Sequence, residues 1–163
     1  MYTSVVVMFP MGRILAIDHG ERRVGLALSD ETGVVAAESL ETIDRKDIKA
    51  PNTLEQEISR VADGYNVAEI VVGLPLNMDG SLGESAQKVL GFARSLGSLT
   101  GLPVRTWDER LTSVVARRVQ RELNLPLGKR REKGRIDRTA AMVLLQNYLN
   151  FRTSRGEAAT GED

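Results

Sequence analysis

Residues 13–29 read RILAIDHGERRVGLALS. Ile14 to Ile17 is apolar without alternation, the pattern of a strand covered on both faces and therefore central, and Asp18 ends it. Val24 to Ser29 is a second apolar run. The polar, glycine-containing HGERR between them is turn chemistry, so the two runs predict a β-hairpin. VVAAESL (Val34 to Leu40) follows the turn Asp30–Gly33 as a weaker third strand.

Outward from the hairpin the pattern changes. A helix begins near Asn52, where Thr53 and Gln56 have capping-box spacing and Leu54, Ile58, Val61, Ala62 and Tyr65 share a face. EIVVGL (Glu69 to Leu74) reads as a buried strand of a parallel sheet. Ser81 and Glu84 are spaced as a second capping box. The helix after them, about Glu84 to Leu99, carries Ala86, Val89, Leu90, Ala93 and Leu96 at helical period. Val104 to Trp107 is a short strand, and Thr112 is placed to cap a helix. A basic loop precedes a last helix from about Asp137 to Leu149. Three antiparallel-type strands followed by α/β alternation predict an α/β protein, with a mixed five-stranded sheet and helices on both faces.

The chain has 163 residues, a length suited to one domain. It has no cysteine, which excludes disulfides, cysteine zinc sites and a cysteine nucleophile. Lys+Arg and Asp+Glu both number 22, so any polyanion-binding face must come from local segregation of charge. No apolar stretch approaches the ~20 residues of a membrane span. Residues 1–12 read as a disordered N-terminal extension, 13–150 as the folded domain, and 151–163 as a disordered tail.

Several carboxylates sit at the ends of elements. Asp18 ends the central strand, on the rim where open α/β sheets place their sites. Asp108 and Glu109 end the strand VRTW. Asp137 heads the last helix, in register with its apolar stripe. Asp79 is a further candidate, more simply a tight Asp-Gly turn. Each of the others also has an ordinary reading: a turn aspartate, solvated loop acids paired with Arg110, a helix cap. Three acids converging from separate elements would need a cation between them, and Mg²⁺ or Mn²⁺ prefers oxygen ligands. His19, the only histidine, points away from Asp18 if the strand continues. Lys129, Arg130, Arg131, Lys133, Arg135 and Arg138 make a basic segment leading into Asp137, suited to a phosphodiester backbone, with Arg110 a further candidate contact.

RILAIDHGERRVGLALSD, EIVVGLPLNMDGS, VRTWDERLTSVVARR and KGRIDRTAAMVLLQNYL together resemble the YqgF/RuvX family, the Holliday-junction-resolvase-like, pre-16S rRNA nucleases of bacteria. The resemblance spans roughly residues 13 to 149. It implies a ribonuclease H-like fold and a cytoplasmic nuclease using Mg²⁺ or Mn²⁺. It also implies a nucleic-acid partner, pre-rRNA before branched DNA, met on ribosomal particles, and no membrane. The family's first-strand aspartate falls on Asp18, the glutamate of its D-E-R motif on Glu109, and the aspartate of its K-G-x-x-D segment on Asp137. These three are the expected catalytic and metal-binding set, with Glu109 reaching across from the strand beyond EIVVGL. The rival readings are a DNA junction endonuclease, a non-catalytic rRNA-binding assembly factor, and a nucleotide binder of the sugar-kinase and actin group. The last needs two such domains.

Overall fold

The computed structural model describes the backbone of residues 11–111 and 133–160, and the side chains of 11–111 and 140–154. β1 (Arg13–His19) and β2 (Arg23–Ser29) form the expected antiparallel hairpin, with Ile17 opposite Leu26 and Asp18 opposite Gly25. Its turn closes with the Gly20 N–H donating to the Arg23 carbonyl at 3.1 Å. A Cβ on Gly20 would fall 2.3 Å from that carbonyl oxygen, so only glycine fits there.

β3 (Ala36–Ser39) pairs with β2 and starts later than the apolar pattern predicts. The reason is Asp30, whose carboxylate accepts from the Val34 and Val35 N–H groups at 2.8 and 2.9 Å. Those two amides are thereby withdrawn from strand pairing. β4 (Ile43–Asp44) also pairs with β2, so among the described residues the sheet has six strands rather than five. Two residues carry no readable period, which is why the sequence pattern does not reveal this strand. A short 3₁₀ turn, Arg45–Asp47, follows it.

α1 (Leu54–Gly64) opens with the capping box expected at Thr53 and Gln56 and leads to β5 (Val67–Leu74), which lies parallel to β1. α2 (Glu84–Thr100) leads to β6 (Val104–Asp108), parallel to β5. The strand order is β3-β2-β1-β5-β6, with β4 on the side of β2. The second capping box is absent: Gly83 precedes α2 without a side-chain cap. Ser81 instead donates its N–H and hydroxyl to the Asp79 carboxylate. Residues 109–111 are already helical, so Asp108 rather than Thr112 stands at the head of that turn. Thr112 and the helix expected from it lie outside the described residues.

α3 (Lys133–Thr160) starts earlier and ends later than the stripe Asp137–Leu149 suggests. The tail boundary at residue 151 needs correction. Phe151 stacks on Trp107 at 5.2 Å, and Arg152 pairs with buried Glu69 at 3.6 Å. Polar sequence concealed this contact, because Arg152 docks through a charge and not an apolar stripe. Residues 1–10 lie outside the described set.

The sheet separates two cores. Leu15, Ile17, Leu26, Leu28, Ile70 and Val72 pack against α1 and α2. Ile14, Ala16, Ala27 and Val71 pack against Ala141, Leu144, Leu145, Tyr148 and Leu149 of α3. β1 is buried on both faces, as its unbroken apolar run requires. Among the described residues, no helix is long and apolar enough to cross a membrane.

Candidate active site

Alternation along a strand decides what faces what. On β1, Asp18 has the parity of Ile14 and Ala16, whose side chains meet α3. Its neighbours at that level lack side chains on both sides. Gly25 of β2 is paired with it directly, and Gly73 of β5 lies one step beyond the Ile17–Val72 pair. The Asp18 carboxyl therefore stands at the carboxyl end of the two central parallel strands, with a glycine on each adjoining strand at its level.

Glu109 packs over one of those glycines, Gly73. It follows β6, whose Trp107 is paired with Gly73 and Asp108 with Leu74. Its side chain crosses back over β5, so that a Cβ on Gly73 would fall 2.6 Å from Glu109 Oε1 and 2.7 Å from Leu144 Cδ1. This is the reach across β5 expected of Glu109. Burial pushes the Glu109 carboxyl up to about 7, assisted by the Asp18 charge, a hydrogen bond between the two carboxyls and the Asp108 charge. Asp18 and Glu109 thus form one close acidic pair.

Asp108 does not join them. Its carboxylate takes Arg110 Nε at 3.0 Å and Nη2 at 2.7 Å, and accepts the Arg110 backbone N–H at 3.0 Å. The guanidinium holds the Asp108 carboxyl below the usual carboxylate range. Arg110, a sequence candidate for nucleic-acid contact, is thus engaged with Asp108, and its Nη1 donates to the Met78 carbonyl at 3.3 Å. His19 lies on the opposite face from Asp18, against Phe92 at 4.5 Å and Arg45 Nη2 at 2.9 Å. Burial, then the Arg45 charge, lowers its pKa. Asp79 is the turn residue of its ordinary reading, bonded to Ser81 beside Gly80 at φ 85°.

Asp137 stands on α3 four residues before Ala141. Its side chain is outside the described residues, as are those of Lys133, Arg135 and Arg138, while Lys129, Arg130 and Arg131 lie wholly outside. Among the described residues no group of three or more acids or histidines forms a metal cluster. Of the three expected residues, the Asp18–Glu109 pair lies among those whose side chains are described. Gly25 and Gly73 were missed as site residues. The available signal was a glycine inside each apolar strand run, which marks close approach of another group.

A family model described as RuvX, Holliday junction resolvase, matches residues 12–151. The chain belongs to the RuvX family. Relatives in this family include a protein of Halothermothrix orenii, 44% identical over 140 residues, covering 86% of this chain and 96% of its own. Another, of Moorella thermoacetica, is 46% identical over 138 residues, with 85% and 94% covered. Both are provisionally named pre-16S rRNA nucleases. Among solved structures, T. thermophilus RuvC in complex with a Holliday junction substrate superposes with a TM-score of 0.56 at 14% identity, over 88% of this chain and 96% of that one. That likeness establishes the fold, which is ribonuclease H-like. The RuvX match agrees with the family that the four motifs resemble.

Proposed function

We propose that this protein is a divalent-metal-dependent nuclease that hydrolyses phosphodiester bonds in structured RNA, and that its substrate is the 5′ region of pre-16S rRNA, met in the cytoplasm on ribosomal particles. The supporting observation is the Asp18–Glu109 pair at the carboxyl edge of the central strands. A buried carboxyl raised to about 7 by its own burial and by a second carboxyl marks two acids held close together. Its donors are all carboxylate oxygens, which fit Mg²⁺ or Mn²⁺. In this reading Asp18, Glu109 and Asp137 hold the ion or ions. When bound, the metal supplies Lewis-acid charge beside the scissile phosphate.

The chain's own residues set the rest. Gly73, with no side chain of its own, leaves room for Glu109 to lie across β5 beside Asp18. Positive charge beside the pair would lower the raised pKa of Glu109. α3 covers the same face through Leu144 and limits water on one side. The segment from Lys129 to Arg135 supplies phosphate contacts.

The test is cleavage of precursor rRNA, single-stranded RNA and a four-way DNA junction by purified protein with Mg²⁺ or Mn²⁺, using Asp18→Asn as control. Cleavage of precursor rRNA that disappears in folded Asp18→Asn protein is expected. The family model's description favours the junction as a second substrate. Preferential junction cleavage would replace the RNA reading. Binding without cleavage in either metal would make the protein a non-catalytic assembly factor.

A further inference from the structure

We propose that Arg110 is a positioning residue: it clamps the loop of residues 75–83 to Asp108 and so fixes Glu109 against Asp18. This rests on the nuclease reading above and assigns Arg110 a role other than phosphate contact.

The residues on either side of Glu109 are locked to each other. Arg110 Nε lies 3.0 and 3.1 Å from the two Asp108 oxygens, and Nη2 lies 2.7 Å from Oδ2. The Arg110 backbone N–H also donates to Oδ1 at 3.0 Å. Backbone and side chain of Arg110 thus hold one carboxylate, and the chain of Glu109 is enclosed in the ring they close. The remaining guanidinium nitrogen, Nη1, reaches the Met78 carbonyl at 3.3 Å, 32 residues away in sequence.

Met78 sits at the tip of a loop that begins beside Gly73, the residue over which Glu109 lies. The loop has its own internal bonds: Asn77 N–H to the Ser81 carbonyl at 3.0 Å, Gly80 N–H to the Asn77 carbonyl at 2.8 Å, and Ser81 N–H to Asp79 Oδ1 at 2.9 Å. It is a preformed body, attached to the exit of β6 by one guanidinium. Arg110 therefore ties the exit of β5 to the exit of β6, the two points that define the seat of Glu109. A lysine has one nitrogen in place of this planar fork and loses the bidentate hold on the Asp108 carboxylate.

The experiment compares wild type with Arg110→Ala, Arg110→Lys and Asp108→Asn. Hydrogen exchange at the Gly80 and Ser81 amides reads the clamp without any reaction. Exchange should be faster in both Arg110 variants, and unchanged exchange would overturn the clamp. On precursor rRNA, Arg110→Ala and Asp108→Asn should each lower kcat about a hundredfold, the scale of an ångström-level misplacement, with KM and melting temperature unchanged. Arg110→Lys should not restore kcat, and the double variant should be no worse than either single one. An unchanged kcat with weaker binding, and a log–log salt slope reduced by about 0.7–0.9, would make Arg110 a phosphate contact and overturn the proposal. If wild type cleaves neither RNA nor DNA, the functional reading fails and the positioning role fails with it, while the exchange result still decides whether the loop is clamped.

Discussion

A methyl group on Gly73 would lie 2.6 Å from Glu109 Oε1 and 2.7 Å from Leu144 Cδ1, so the space above that residue is already filled from two directions. Gly73→Ala should therefore push Glu109 off Asp18. We expect a folded protein destabilised by about 1–3 kcal/mol through overpacking. Its cleavage rate should fall by about tenfold to a hundredfold. Thermal melts and single-turnover cleavage check the two parts separately, and a wild-type rate would mean that the seat of Glu109 is not needed. Glu109 itself links stability to pH. Its folded pKa is raised from 4.5 to about 7, so the unfolded chain loses this proton first. The metal-free protein should become less stable as pH rises from about 4.5 to about 7 and level off above that. Glu109→Gln should remove this dependence and melt higher than wild type at pH 8 without metal. Denaturant unfolding across that range gives the answer, and parallel curves for the two proteins would contradict it.

At the scale of elements, α3 is held to the sheet by more than its apolar stripe. Glu69 of β5 is fully buried and receives the Tyr148 hydroxyl, Arg105 Nε at 3.1 Å and Arg152 Nη1 at 3.6 Å. Burial, with the Glu69 hydrogen bond, drives the Tyr148 pKa far up, so the hydroxyl stays a donor throughout the working range. This network sits toward the amino end of β5, while Asp18 and Glu109 sit at the other end. It joins α3, β5 and β6 at a distance from the chemistry. Tyr148→Phe leaves the ring in place but removes one donor to a buried carboxylate. The expected loss is about 1–3 kcal/mol of stability with cleavage retained at permissive temperature. Denaturant midpoints together with a cleavage assay measure both. Loss of cleavage in a fully folded variant would show that α3 docking controls the site.

For the whole molecule, net charge is zero, so association with nucleic acid depends on where charge is placed. The central sheet brings two acids together at one rim, and a cation there should stabilise the folded state by mass action. Millimolar Mg²⁺ or Mn²⁺ should raise the melting temperature of wild type by the equivalent of about 2.7 kcal/mol at a hundredfold excess over Kd. Asp18→Asn should show little of that gain and should melt above wild type when metal is removed, because one of two repelling carboxyls is gone. Melts of both proteins in EDTA and in metal measure this. Equal responses to metal would place its binding elsewhere.

The sequence by itself determined the hairpin, the central position of β1, the parallel strands β5 and β6, the capping box of α1 and the sites of Asp18 and Glu109 at strand ends. Those features rest on local chemistry: an apolar run, a turn glycine, a threonine and glutamine three apart. Only the tertiary structure decided which acid of Asp108 and Glu109 faces Asp18. Both follow the same strand, but one is held by Arg110 while the other crosses Gly73, and side-chain direction after a strand end has no period to read. The same holds for β4, too short for a pattern, and for Arg152, whose partner Glu69 lies 83 residues earlier in the chain. Polar contacts between segments distant in sequence leave no local signature. Burial in a shared core writes itself into hydrophobic spacing, and that is why the fold was legible further than the site.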